Sequence, residues 1–288
     1  MPTWYEMGVP AEVIESRSER DRDVGLTMVI DSGLGLAATR EVLAVAGRWI
    51  DHWKLSFGTS ALMPEETLME KLALIRSAGL VVFPGGTLFE SAVLNGHGEG
   101  YFEKAVRLGF TAVEISEGTL DLPASRRLSS IQAATGAGLI VISEVGKKDP
   151  LGQPTPRQLA EQALVDLDGG ARWVVVEGRE SGRSVGVFSN TGGVNMEAVE
   201  TIALHVGDAL DRLVWEAPIK RQQVTFIQRF GPNVSLGNID PTRVLALEAL
   251  RAGLRFETLQ PLVRQQEANP DEWREKTGLL WEASFPTP

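Results

Sequence analysis

Residues 138–148 read GLIVISEVGKK. The run is apolar at nearly every position as far as Ile142, which describes a strand covered on both faces, as in a parallel sheet packed between helices. It then turns polar, with Ser143, Glu144, Lys147 and Lys148 arriving together. A strand that is buried through its body and charged at its end delivers those charges to the C-terminal edge of a parallel sheet, where α/β proteins build their sites.

Seven further runs share this character: LTMVID (26–31), WIDHWKLS (49–56), LVVFPGG (80–86), AVEISEG (112–118), WVVVEG (173–178), RLVWEAP (212–218) and NVSLGNI (233–239). Helical patterns lie between them. Residues 63–79, MPEETLMEKLALIRSAG, open with a proline and a glutamate pair and stop at Gly79; residues 155–170 repeat the device with Pro156 and Gly169. Eight strands with intervening helices predict a single (β/α)8 TIM-type barrel. The alternative is an open doubly wound sheet. No GxGxxG fingerprint follows the first strand, and polar residues recur at every strand end rather than at one switch point. The expected organisation is an N-terminal arm over 1–24, a catalytic barrel over 25–255 and a helical or irregular tail over 256–288. Trp273, Trp281 and Phe285 of the tail would pack on the barrel or on a neighbouring subunit.

The 288 residues include 43% hydrophobic ones, enough to bury a sizeable core. The net charge of −10 disfavours nucleic acid and anionic membranes as partners. There is no cysteine, so disulfides, thiolate nucleophiles and sulfur-ligated metals are excluded. The three histidines match no metal spacing, so any metal needs oxygen ligands, which suits Mg²⁺ or Mn²⁺. His52 is expected to face the helix layer, His97 a solvated loop, and His205 falls on a helix. The N-terminal segment resembles no signal peptide and no run of 18 apolar residues occurs, which predicts a cytoplasmic enzyme.

The strand ends supply the candidate chemistry. They give Asp31, then Lys54, then Thr87 and Glu90, then Glu114, Ser116 and Glu117. They continue with Ser143, Glu144, Lys147 and Lys148, with Glu177, Arg179 and Glu180, with Glu216, Lys220 and Gln223, and with Asn238. Buried strands exclude charges unless they are paired. Internal salt bridging explains any one of them; the set, converging on one face, points to a site. Carboxylate oxygens hold a hard divalent ion, lysines and arginines neutralise phosphate or carboxylate groups, and glycines such as Gly86 let backbone N–H groups approach an anion.

The motifs GLTMVIDSGLGL, KLSFGTSAL, PGGTLFE, VEISEGT, SEVGKK, VEGRESG, EAPIKRQQ and FGPNVSLGNI resemble, in order, the strand-end motifs of the phosphosulfolactate synthase family, over about residues 25–255. The resemblance implies a Mg²⁺-dependent addition of sulfite to phosphoenolpyruvate giving (2R)-phospho-3-sulfolactate, the first step towards coenzyme M or a related sulfonate, in a homo-oligomeric barrel. It implies Lys148 as the proton donor, with Lys147 second. Asp31, Glu90, Glu114, Glu144 and Glu177 become candidates around the metal. Lys54, Arg179 and Lys220, with Ser143, Gly86, Thr87 and Asn238, become candidates for binding the small anionic substrates. The chain departs from the family where Ser32 replaces a lysine, Glu117 an aspartate, KLSFGTS a KFGWGTS-like motif and IKRQQ a QKSQQ-like one: one cation is lost at residue 32 and one gained at Arg221. Two other readings stay open, a barrel enzyme for a different phosphorylated or carboxylated substrate and a non-catalytic relative of the heat-stress type.

Overall fold

The structure is a computed structural model in which Arg17 and residues 22–267 are described. Its strands are β1 (Thr27–Asp31), β2 (His52–Leu55), β3 (Val81–Pro84), β4 (Ala112–Ile115), β5 (Ile140–Val145), β6 (Trp173–Val176), β7 (Leu213–Glu216) and β8 (Leu236–Ile239). They form one eight-stranded sheet in the order β3-β2-β1-β8-β7-β6-β5-β4, and its ladders are parallel. The helices are α1 (Leu36–Ala46), α2 (Glu65–Ser77), α3 (Gly86–Leu94), α4 (Gly98–Leu108), α5 (Ala124–Gly136), α6 (Pro156–Asp168), α7 (Met196–Val206), α8 (Lys220–Phe230), α9 (Val244–Arg251) and α10 (Phe256–Glu267). The alternation is that of a (β/α)8 barrel. Helix α10 occupies the start of the expected tail; Trp273, Trp281 and Phe285 lie outside the described residues.

The start signals act as the sequence suggests. Thr155 and Gln158 form a reciprocal capping box around Pro156 at the head of α6. The strands are shorter than the apolar runs. Trp49 sits in a 3₁₀ turn (Gly47–Trp49) and is buried among the core side chains, so it reads as strand although it is not.

Strand alternation divides the residues into two sets. Val29, Trp53, Leu55, Val82, Val113, Ile115, Val141, Val174, Val176 and Trp215 join the helix-facing core. Met28, Phe83, Ala112, Ile142, Trp173, Val175 and Val214 form a second, inner cluster that plugs the barrel. One pleat period further along the strands, the inner positions become Lys54, Glu114, Glu144, Glu177 and Glu216. The plug is apolar and the layer above it is charged. On β8 the inner position is Gly237, where a Cβ would strike the Met28 side chain.

The barrel closes unevenly. At the β3–β4 seam the strand ladder gives way to Thr111, whose N–H donates to Val82 O at 3.0 Å and whose hydroxyl accepts from Val82 N at 2.9 Å. Pro84 brings no donor to this seam.

His52 corrects an expectation. It shares parity with Lys54, so it faces the barrel interior and not the helices. Its ring lies 4.6 Å from that of Trp173 and 6.2 Å from that of Phe83. Burial, with Arg172 nearby, lowers its pKa to about 3. The folded state therefore binds this proton less readily than the unfolded chain, so stability is complete above about pH 6.5 and declines as pH falls towards 3. His52→Leu should flatten the stability–pH curve across that interval, measured as urea midpoints between pH 4 and 7; an unchanged slope would contradict the interior placement.

Candidate active site

Four buried carboxylates and two ammonium groups meet at the C-terminal mouth of the barrel. Lys54 Nζ lies 2.8 Å from Glu114 Oε1, 3.2 Å from Glu144 Oε2 and 3.2 Å from Glu216 Oε1. Lys148 Nζ lies 2.7 Å from Glu144 Oε1 and 2.5 Å from Glu177 Oε2. Backbone amides complete the set: Gly86 N donates to Glu114 at 2.6 Å, Gly178 N to Glu216 at 2.8 Å and Arg179 N to Glu177 at 2.7 Å.

The positive charges are fewer than the negative ones, and the titration of the carboxyls reflects this. Burial pushes Glu114 up to about 7 against the pull of Lys54. Burial and the neighbouring Glu144 and Glu216 raise Glu177 well above the ordinary carboxylate range. Burial also opposes ionisation of Glu144, but Lys148 and Lys54 together hold it below that range. Burial pulls Lys148 down, and Glu144 and Glu177 more than reverse this, so its ammonium form is held.

Of the residues singled out in the sequence, Lys54, Gly86, Thr87, Glu114, Glu144, Lys148, Glu177, Arg179, Glu180, Glu216 and Asn238 line one mouth, joined by Phe57. Lys54 lies beneath three carboxylates and serves them as counter-ion rather than presenting its charge to solvent. Glu216 carried no assigned role in the sequence reading. The usable signal was its parity: it ends β7 as Glu114, Glu144 and Glu177 end their strand segments.

Five expected site residues are placed elsewhere. Asp31 has the opposite parity and turns to the helix layer, where it pairs with Lys71 at 2.6 Å and accepts from Trp53 Nε1 at 2.8 Å. Its other oxygen holds the turn after β1 through Gly33 N and Leu34 N, both at 2.8 Å. Glu90, on α3, anchors the loop after β4: it accepts from Ser116 Oγ at 2.5 Å and from the amides of Gly118, Thr119 and Leu120 at 3.1, 2.8 and 3.0 Å. Ser143 precedes Glu144 and so faces outward. Lys220 is exposed and ion-paired with Glu257. Lys147 turns away from the mouth and donates to Glu117 O at 2.7 Å, Leu120 O at 3.2 Å and Asp121 Oδ1 at 2.8 Å.

Lys147 thus ties the loop after β5 to the loop after β4, and Gln153, which the sequence reading passed over, ties it to the loop after β6. Its amide donates to Lys147 O at 2.6 Å and Asp149 O at 2.7 Å and accepts from Gly186 N at 2.8 Å. Lys148 is held between these fastenings, its own amide bonded to Gly118 O at 2.8 Å.

Carboxylates and cations gathered on the C-terminal ends of barrel strands, over an apolar plug, define an enzyme of the (β/α)8-barrel class. A solved structure of 3-hexulose-6-phosphate synthase from Salmonella typhimurium shares the fold, with a TM-score of 0.53 at 14% identity over 83% of this chain and 99% of that one. The model of the family described as (2R)-phospho-3-sulfolactate synthase (ComA) matches residues 15–257. The phosphosulfolactate synthase of Methanothermobacter thermautotrophicus is 42% identical over 84% of this chain and 94% of its own length, and that of Methanocaldococcus jannaschii 40% identical over 81% and 93%. The chain belongs to the phosphosulfolactate synthase family, enzymes of the carbon–sulfur lyase type. No helix among the described residues is long and apolar enough to cross a membrane.

Replacing Glu90 by glutamine puts a donor among amides that need an acceptor. Hydrogen bonds to a charged group contribute about 1.5–3 kcal/mol each net, so Glu90→Gln should cost at least about that much stability in chemical denaturation. It should also speed proteolysis within residues 117–122; a variant as stable and resistant as the parent would refute the anchoring role.

Proposed function

We propose that this chain adds sulfite to phosphoenolpyruvate to give (2R)-phospho-3-sulfolactate, with Mg²⁺ bound, as a step towards coenzyme M or a related sulfonate. The observation that carries the reading is Lys148. Its ammonium bridges two buried carboxylates, yet its side chain stays 31% exposed at the mouth, charged and within reach of a ligand.

The donor set fits a hard divalent ion. Among the described residues the ammonium groups paired with Glu114, Glu144, Glu177 and Glu216 are those of Lys54 and Lys148, and burial, then the neighbouring Glu144 and Glu216, raises Glu177. Among the described residues no three His, Cys, Asp or Glu side chains are grouped to hold a metal. Mg²⁺ suits such a site, because it takes one or two carboxylates and completes its shell with water and substrate oxygens. Glu144 and Glu177 would hold it. When bound, it supplies positive charge for the oxygens of the substrate carboxylate as they gain electron density.

The chain's own groups account for the rest. Arg179, Thr87 and the N-terminus of α3 gather positive potential where the phosphate would lie. The sulfur lone pair of sulfite forms the bond to the methylene carbon, C3. The C2–C3 π pair moves onto the carboxylate as an enediolate. Lys148 Nζ then gives its proton to C2 from one face, which fixes the configuration, and solvent restores the proton to nitrogen. The carboxylates that hold Lys148 charged also keep it a reluctant donor, which an enediolate, far more basic than a carboxylate, overcomes.

One observation favours a second reading, a different phosphorylated or carboxylated substrate. Arg221 is spent on the carbonyls of Gly192, at 3.1 Å, and Thr191, so it does not replace at the mouth the cation missing at Ser32.

Purified protein with phosphoenolpyruvate, sulfite and Mg²⁺ should form phosphosulfolactate, seen as a new phosphorus resonance; stable, folded protein without product excludes the first reading. Lys148→Arg keeps the charge but is too weak an acid, so kcat should fall about a hundred- to ten-thousandfold, with the thermal midpoint within a few degrees of the parent. Full activity in that variant removes Lys148 from the acid role. Chelation should abolish turnover, and added Mg²⁺ should raise the thermal midpoint of the substrate-free protein; an ion that does neither is not bound here.

A further inference from the structure

Four non-glycine residues among those described hold a left-handed backbone: Phe57 at φ 56°, Arg179 at 58°, Ser184 at 63° and Asn238 at 54°. Phe57, Arg179 and Asn238 all line the mouth. Asparagine tolerates this region, and the turn at Arg179 lets its amide reach Glu177. A phenylalanine there is a true outlier, and such strain persists only where the surroundings enforce it.

At Phe57 they do. Ser56 N and Oγ both donate to Asp31 O, at 2.9 and 3.1 Å, and Thr59 N and Oγ1 both donate to Ser56 O, at 3.0 and 2.8 Å. Gly58, at φ 68°, continues the left-handed turn. Phe57 as a whole residue is left 51% exposed. Apart from Ile30 and the glycines, the other side chains lining this mouth are polar or charged. An apolar ring held in a costly conformation beside buried charges gains little from those neighbours. It gains when a ligand lies beneath it.

We infer that Phe57 covers the occupied site, its ring closing over bound phosphoenolpyruvate and keeping water from C2 while Lys148 delivers the proton; the inference rests on the reaction proposed above. Excluding water strengthens the charge interactions beneath the ring and prevents protonation of the enediolate by solvent from the opposite face.

Glycine at position 57 removes the ring and relieves the strain at once. Phe57→Gly should therefore keep or raise the thermal midpoint, lower kcat at least tenfold and give product of reduced enantiomeric purity. Phe57→Asn, which suits the left-handed backbone, should behave the same way and stands in where the glycine variant folds poorly. Phe57→Trp should keep the rate and the (2R) configuration. Full activity and stereopure product from the glycine or asparagine variant overturns the inference. A second arm is independent of turnover: phosphoenolpyruvate alone should shift the emission of Phe57→Trp to the blue, after subtraction of the parent protein's response. That shift, in a protein that makes no phosphosulfolactate, sinks the reaction and keeps the cover. No shift sinks the cover.

Discussion

Lys54 is the charge around which the mouth is assembled. Its ammonium lies within 3.2 Å of carboxylates from β4, β5 and β7, beneath the surface and above the apolar plug. Taking a lone carboxylate out of water costs several kcal/mol, and three together repel one another besides. Without a fixed cation at their centre, Glu114, Glu144 and Glu216 would take up protons or drive the strands apart. Lys54 gives the three a shared counter-ion, and Lys148 extends the arrangement from Glu144 to Glu177. The result is a buried floor of paired charges above the apolar plug, at a mouth that Thr87, Arg179 and Asn238 also line.

The same parity that builds this floor explains what was legible in the sequence. The strands could be read because parallel strands are buried on both faces and leave nearly unbroken apolar runs. The charged strand ends could be read because charge in such a run needs a reason. Direction was harder. Asp31 and Glu144 look alike in sequence, each closing an apolar run, yet Asp31 aligns with the outward set that includes Trp53 and Glu144 with the inward set that includes Ile142. Counting residues from the apolar plug distinguishes them, and the same count brings in Glu216 and excludes Ser143.

Glu90, Lys147 and Gln153 were not legible by any count. Their partners are backbone groups of loops that approach only when the barrel closes. A sequence records that such side chains are polar; it does not record which carbonyls and amides the loops leave unpaired. Loops of this kind carry the groups that vary between barrel enzymes, and their fastenings are long-range. That is why a lysine beside the proposed acid proves to be a fastening rather than a second acid.

The β3–β4 seam joins fold to chemistry. Where the ladder lapses, Thr111 binds Val82 at one end and Glu114 binds Gly86 N at the other, so one site carboxylate also fastens the sheet. The fastening demands glycine, since a Cβ at residue 86 would overlap Ser116, itself bonded to Glu90. Glu114 therefore cannot be exchanged for a shorter side chain without loosening the barrel along this seam, and Gly86 cannot gain a side chain without displacing the loop that Glu90 holds. Chemistry and closure draw on the same oxygens. Variation within this architecture is accordingly freer at the mouth's rim, at positions such as Phe57 and Glu180, than in the floor.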